Sequence, residues 1–256
     1  LEDIQADSEQ GSRRLGQVAL ALQLLARQAT GPRKITILKD RRLSRMVDAL
    51  HSNVQHLEVW TLAAGACALG KLGTLSLQAA QQTATAAEAL LRRSEEKLPE
   101  FQTSQAALVL ASLAMVPERL GAKANSQLRN SLVAMLELQS QDLSPEACAH
   151  LAPALVKLRD QSDTLAQGVA KRLASNLETL APEEVATAAQ SLVALRHAPT
   201  KLMEATQKVL RHQVHLCTPR AVVHFAGALS EGRGDVDASH DFLMPAARSF
   251  ISDFNC

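Results

Sequence analysis

LSPEACAHLAPALVKLR (143–159), LAPEEVATAAQSLVALR (180–196) and CTPRAVVHFAGALSEGR (217–233) begin 37 residues apart and overlay without a gap. Two more divergent copies open at Leu57 and Phe101, after intervals of 44 and 42 residues. Twelve residues beyond each opening stands leucine: Leu69, Leu113, Leu155, Leu192 and Leu229. Five residues in come Leu62, Ala106, Cys148, Val185 and Val222, and eight in come Gly65, Val109, Leu151, Ala188 and Phe225. Fifteen in come Leu72, Val116, Leu158, Leu195 and Gly232. Offsets of five, eight, twelve and fifteen make one stripe at helical spacing, which marks the first helix of each unit. Pro145, Pro182 and Pro219 fall at the first helical position, where a missing N–H costs nothing. Ser144 and Thr218 precede two of them as N-caps, and Glu146, Glu183 and Glu184 suit the positive end of the helix dipole.

A short polar break follows each first helix, and then a second amphipathic helix, expected at roughly 77–97, 122–139, 163–178, 200–214 and 239–252. An N-terminal pair at roughly 12–29 and 35–52 precedes these, broken at Gly31-Pro32. Such hairpins cannot cover their own apolar faces, so neighbours must stack. The expectation is an all-α chain, an α-solenoid of about six antiparallel hairpins with a repeat near 37 residues. It forms one array over 1–256: a basic N-terminal pair (1–56), five hairpins (57–252) and a tail (253–256).

Composition agrees. Of the residues 46% are hydrophobic, yet there are only five Phe, one Trp and no Tyr, so Ala and Leu fill the core and no sheet is expected. Cys67, Cys148, Cys217 and Cys256 are widely spaced and form no CxxC, the pattern of small apolar core residues in a reduced compartment. No apolar run of bilayer length occurs, so no membrane insertion is expected. No signal-like segment follows Leu1, and any targeting peptide is expected to have been removed or to lie outside this sequence.

Net charge is +1, but its distribution is uneven. Residues 13–45 hold nine cations (Arg13, Arg14, Arg27, Arg33, Lys34, Lys39, Arg41, Arg42 and Arg45) against Asp40 alone, a local excess of eight positive charges. A block of this density suits a phosphate-contacting surface. The alternative is a solvated face that only maintains solubility.

The segment LEVWTLAAGACALGKLG (57–73) resembles the helix that typifies octotricopeptide and heptatricopeptide repeat proteins and the related FASTK-like proteins with RAP domains. ALVKLR (154–159) and SLVALR (191–196) are similar to degenerate copies, and the period suits this family better than pentatricopeptide or tetratricopeptide repeats. The resemblance implies RNA binding in mitochondria, or alternatively plastids, in transcript maturation or within an organellar ribosome. Degenerate copies imply a structural subunit more than a sequence-reading regulator.

For an array on RNA, cations must meet phosphates and polar groups must meet bases. Arg159, Arg196 and Arg233 share one register, and Lys71 and Lys157 stand two residues before it. These five, with Arg33, Lys34, Arg41, Arg42 and Arg45, are the expected RNA contacts, and His150, Gln190 and His224 are candidate base contacts. The alternative for the arginine register is satisfaction of helix C-terminal carbonyls.

Other motifs carry less. His212, His215, Cys217 and His224 lack the spacing of a zinc site, so no metal is expected. GKLG (70–73) reads as helix termination, and Arg233-Gly234-Asp235 as a turn. No catalytic signature is present, and no enzyme, cofactor or small-molecule substrate is expected. Two readings remain: an RNA-contacting organellar repeat protein among neighbouring protein subunits, or an armadillo-like or HEAT-like protein scaffold without RNA contact.

Overall fold

The computed structural model describes residues 2–29, 33–116, 122–158, 162–213 and 217–231, and all regular structure among them is helical. Two compact units divide the chain, Leu1–Met135 and Leu136–Cys256.

In the first unit α1 (Glu2–Gln28), α2 (Arg33–Lys39) and α3 (Arg41–Ser52) precede α4 (Val59–Gly73), α5 (Leu77–Glu96) and α6 (Thr103–Leu113). Most of α7 (Ala122–Leu138) belongs here too, and the helix buries Leu128, Leu132 and Leu136 at four-residue spacing. Helix α4 is central, packed against α1, α5 and α6, and every residue from Thr61 to Gly70 is buried. A helix covered on all sides must be apolar and narrow, which explains its run of Ala and Gly. A Cβ at Gly65 would lie 3.1 Å from a methyl of Leu50 on α3 and 3.2 Å from one of Leu90 on α5. One at Gly70 would lie 3.2 Å from Cβ of Met115, just beyond α6.

The expected helix at 35–52 is instead two. Asp40 is extended (φ −73°, ψ 120°), and its carboxylate accepts from the Arg42 N–H at 2.8 Å, so it ends α2 and caps α3. The first helix of that pair begins at Glu2, ten residues before the expected start.

In the second unit α8 (Pro145–Leu158), α9 (Asp163–Ala174), α10 (Pro182–Ala194), α11 (Thr200–His212) and α12 (Pro219–Glu231) follow. Helix α10 packs against α8, α11 and α12, and α9 against α8 and α11. Ser144 Oγ accepts from the Ala147 N–H and Thr218 Oγ1 from the Ala221 N–H, both at 3.2 Å, so both expected caps form. Leu69, Leu113, Leu155 and Leu192 are all buried. The expected helix at 239–252 lies outside the described residues.

Offset fifteen does not belong to every first helix. α6 ends at Leu113, so Val116 lies beyond it, and α10 ends at Ala194, so Leu195 is its C-cap. The expected 163–178 helix stops at Ala174 for a related reason. The chain there turns into a 3-10 segment, Leu177–Thr179, that leads into α10.

That turn recurs. Val54–His56, Leu98–Glu100, Ser140–Asp142 and Leu177–Thr179 each end one residue before an opening residue. Asn53, Lys97, Gln139, Asn176 and Gln213, four residues before the openings, share one backbone conformation (φ −100° to −144°, ψ 12° to 25°). Leu57, Phe101, Leu143, Leu180 and Cys217 are all buried and each stands two residues before a helix, the position from which an apolar side chain staples the helix start. Two arginines fasten this junction. Arg93 Nη2 donates to the Gln55 carbonyl at 3.2 Å, and Arg172 Nε to the Leu143 carbonyl at 2.8 Å.

Candidate nucleic-acid interface

Eight of the nine cations between residues 13 and 45 are exposed, and Lys34 is half-buried. Arg33 and Lys34 open α2, while Arg41, Arg42 and Arg45 lie in the first two turns of α3. Arg42 is already engaged, its Nη2 2.6 Å from Asp40 Oδ2. The guanidinium hydrogen bond and the Arg42 backbone N–H hold the Asp40 carboxyl down at about 2. Asp40 thus stays ionised at neutral pH and cancels Arg42, while among the described residues Arg33, Lys34, Arg41 and Arg45 pair with no carboxylate.

Lys71 is half-buried in the last turn of α4. Burial pushes the Cys67 thiol up, and the charges of Lys71 and Arg27 oppose that rise. The C-terminal turns of α1 and α4 therefore bring Arg27 and Lys71 into one neighbourhood. Trp60, in the first turn of α4, is 43% exposed, and a Cβ at Gly16 of α1 would meet its ring at 3.5 Å. Part of this aromatic residue is therefore open to solvent.

In the second unit Lys157 is exposed in the last turn of α8. Of the arginine register, Arg159 and Arg233 lie outside the described residues, and Arg196 alone can be placed. Its backbone is left-handed, φ 61°. The Arg196 N–H donates to the Val193 carbonyl and the His197 N–H to the Leu192 carbonyl, both at 2.8 Å, which closes α10 in the motif that usually employs glycine. Main-chain N–H groups of residues 196 and 197 thus satisfy these carbonyls, and the Arg196 side chain is left exposed.

Two of the candidate base contacts meet each other instead. His224 Nδ1 on α12 and Gln190 Oε1 on α10 form a hydrogen bond, a polar join between adjacent helices. His150 is half-buried on α8.

The cleft around Arg196 holds residues that sequence reading passed over. It measures about 630 Å³ and is lined by one face of α9, including Gln167 and Lys171, by Ser175 at the end of that helix, and by the 196–199 connection with Lys201. His197 Nε2 lies 2.9 Å from Asp163 Oδ1, which ties this connection to the start of α9. The available signal was the basic last turn of α9 together with Lys201 one residue into α11. Joining them needs the packing of α9 on α11, which no linear pattern encodes.

Burial raises the Cys148 thiol to about 12, and burial also pushes the Cys217 thiol upward, so both stay protonated at neutral pH. Among the described residues no three His, Cys, Asp or Glu side chains gather as metal ligands, and no helix is long and apolar enough to cross a membrane. No protein-family model, curated protein or solved structure matches the chain. Function rests on the chain's own residues.

Proposed function

We propose that this is an organellar RNA-binding helical-repeat protein of the octotricopeptide or heptatricopeptide kind. Its hairpins continue as an α-solenoid of about six with a repeat near 37 residues. Its role is that of a structural component of a mitochondrial ribosome or comparable ribonucleoprotein, with the plastid as the alternative compartment. Partners are RNA and neighbouring protein subunits, and no catalytic step is assigned. The carrying observation is the basic surface of residues 13–45, where eight side chains are exposed and the lone acid is tied to Arg42. Charge of one sign, solvated and unpaired, is what releases counterions from a polyanion. The recurring junction supports the repeat, because equal junctions place successive hairpins in equivalent settings.

Filter binding of the full chain to single-stranded RNA at two salt concentrations tests the proposal. Affinity should fall about thirtyfold or more between about 50 and 200 mM salt. Absence of binding at the lower salt removes the reading.

A protein scaffold without RNA contact, armadillo-like or HEAT-like, has one observation in its favour. Leu24 is 49% and Ile35 60% exposed, and Leu24 lines a groove of about 610 Å³ with Leu25, Ile37 and Met46. An apolar groove suits a partner protein better than RNA. Under that reading affinity for RNA is absent, and association with the partner changes little with salt.

A further inference from the structure

The cleft between α9 and the start of α11 combines three features that no single structural need explains. Lys171, Arg196 and Lys201 line it, and among the described residues none of them pairs with a carboxylate. No acid is among the described lining residues, and the nearby Asp163 is taken by His197. Three like charges sharing one cleft repel one another, and an anion relieves that repulsion.

Arg196 stands where glycine is at ease. A left-handed Arg is strained, and its backbone role in closing α10 would be served better by glycine. An arginine at a strained position on the rim of a basic cleft points to a task for the guanidinium itself.

The end of α11 contributes as well. Its N-cap is Pro199, which offers no side-chain acceptor, and the N–H groups of Thr200 and Lys201 have no hydrogen-bond partner among the described residues. Orphan N–H groups at the start of a helix of 13 residues, beside two lysines and an arginine, match the donor pattern that tetrahedral oxyanions take. About 630 Å³ is room for a nucleotide-sized group.

We infer that this cleft is a phosphate-binding site that seats one or two phosphates of a single-stranded RNA, on Lys171, Arg196, Lys201 and the first-turn N–H groups of α11. The site stands on its own geometry. Only the source of the phosphate rests on the RNA reading above.

Inorganic pyrophosphate is the direct probe, titrated into the nitrogen-15-labelled full chain. The amide resonances of Lys171, Thr200 and Lys201 should shift and saturate. The double variant Lys171→Gln/Lys201→Gln should weaken binding about tenfold or more. Arg196→Gly is the sharper variant, because it should weaken pyrophosphate by about tenfold while raising Tm. Unmoved amides, or an Arg196→Gly chain that binds as the parent does, would overturn the site. A single-stranded RNA oligomer should then shift the same amides and displace pyrophosphate. RNA that binds without moving them overturns the assignment of the phosphate to RNA. Failure of RNA to bind anywhere removes the functional proposal and leaves a pyrophosphate-binding cleft standing. Shifts of the same amides on titration with polyglutamate, in a chain indifferent to pyrophosphate, overturn the inference in favour of an acidic protein.

Discussion

The two units gather positive charge in different ways. In the first, cations follow one another along the chain, Arg33 and Lys34 on α2 and Arg41, Arg42 and Arg45 on α3, and all but the half-buried Lys34 are exposed. In the second, Lys171, Arg196 and Lys201 come from two helices and the connection between α10 and α11, and they meet only because α9 packs on α11. A contiguous basic block survives modest changes in packing, whereas an assembled cleft depends on it. The first unit thus offers density of charge and the second offers shape.

The largest effects should show how alike the two units are inside. Leu69 and Leu192 stand at the same offset, on α4 and α10, and both are fully buried. Leu69→Ala and Leu192→Ala should each cost about 2–5 kcal/mol in denaturant unfolding. A loss under about 0.5 kcal/mol at either site, the level of a surface position, would break the equivalence.

Two glycines sharpen the contrast in packing. A Cβ at Gly168 would lie 2.8 Å from the Ser140 Cβ, at the root of a short side chain on the adjoining 3-10 turn. The Gly65 neighbours are terminal methyls of Leu50 and Leu90, which can rotate. Gly168→Ala should therefore destabilise by about 1–3 kcal/mol. Gly65→Ala should stay within about 1 kcal/mol of the parent, because helix propensity offsets crowding. Thermal unfolding of the pair reads the difference, and equal losses would mean the two close approaches are equally stiff.

Arg196→Gly should stabilise by roughly 0.5–1 kcal/mol, since relief of left-handed strain exceeds the entropy lost with glycine. A destabilised chain would show that the Arg196 side chain holds the fold.

The smallest effect concerns Asp40. Its carboxyl is held at about 2 by Arg42, below the unfolded value near 4, so its contribution is complete above about pH 4–5 and fades as pH falls through about 2. Because the pair is exposed, salt should weaken it. The difference in unfolding midpoint between parent and Asp40→Asn should be constant near neutrality and vanish in acid. A difference that persists at about pH 2 would assign the effect to something other than charge.

Much of the helical structure was legible because the sequence pattern is periodic. The leucine at offset twelve and the prolines at the helix starts place α8 and α10 almost to the residue. The junctions were harder. Four of the five residues there are carboxamides (Asn53, Gln139, Asn176 and Gln213), with Lys97 the exception, but carboxamides recur throughout the chain and did not mark the one backbone conformation that all five take. Asp40 shows the reverse case. It counted as the only acid in a basic block, while its cap on Arg42 is a local geometry that splits a helix.

The candidate site divides along the same line. The exposure of Arg33, Arg41 and Arg45 follows from their number, since so much like charge cannot be buried. The pairing of Gln190 with His224 could not be read, because it depends on the rotation of α10 against α12. The same holds for Lys171 and Lys201, which gain significance only beside Arg196.

The salt dependence of RNA affinity tests the central claim most directly, measured for the parent chain and for one in which Arg33, Lys34, Arg41 and Arg45 are all Gln. The account predicts steep weakening with salt for the parent and a slope shallower by about 3 for the variant, near 0.7 for each single-strand phosphate that is no longer neutralised. Identical slopes for the two chains would contradict it.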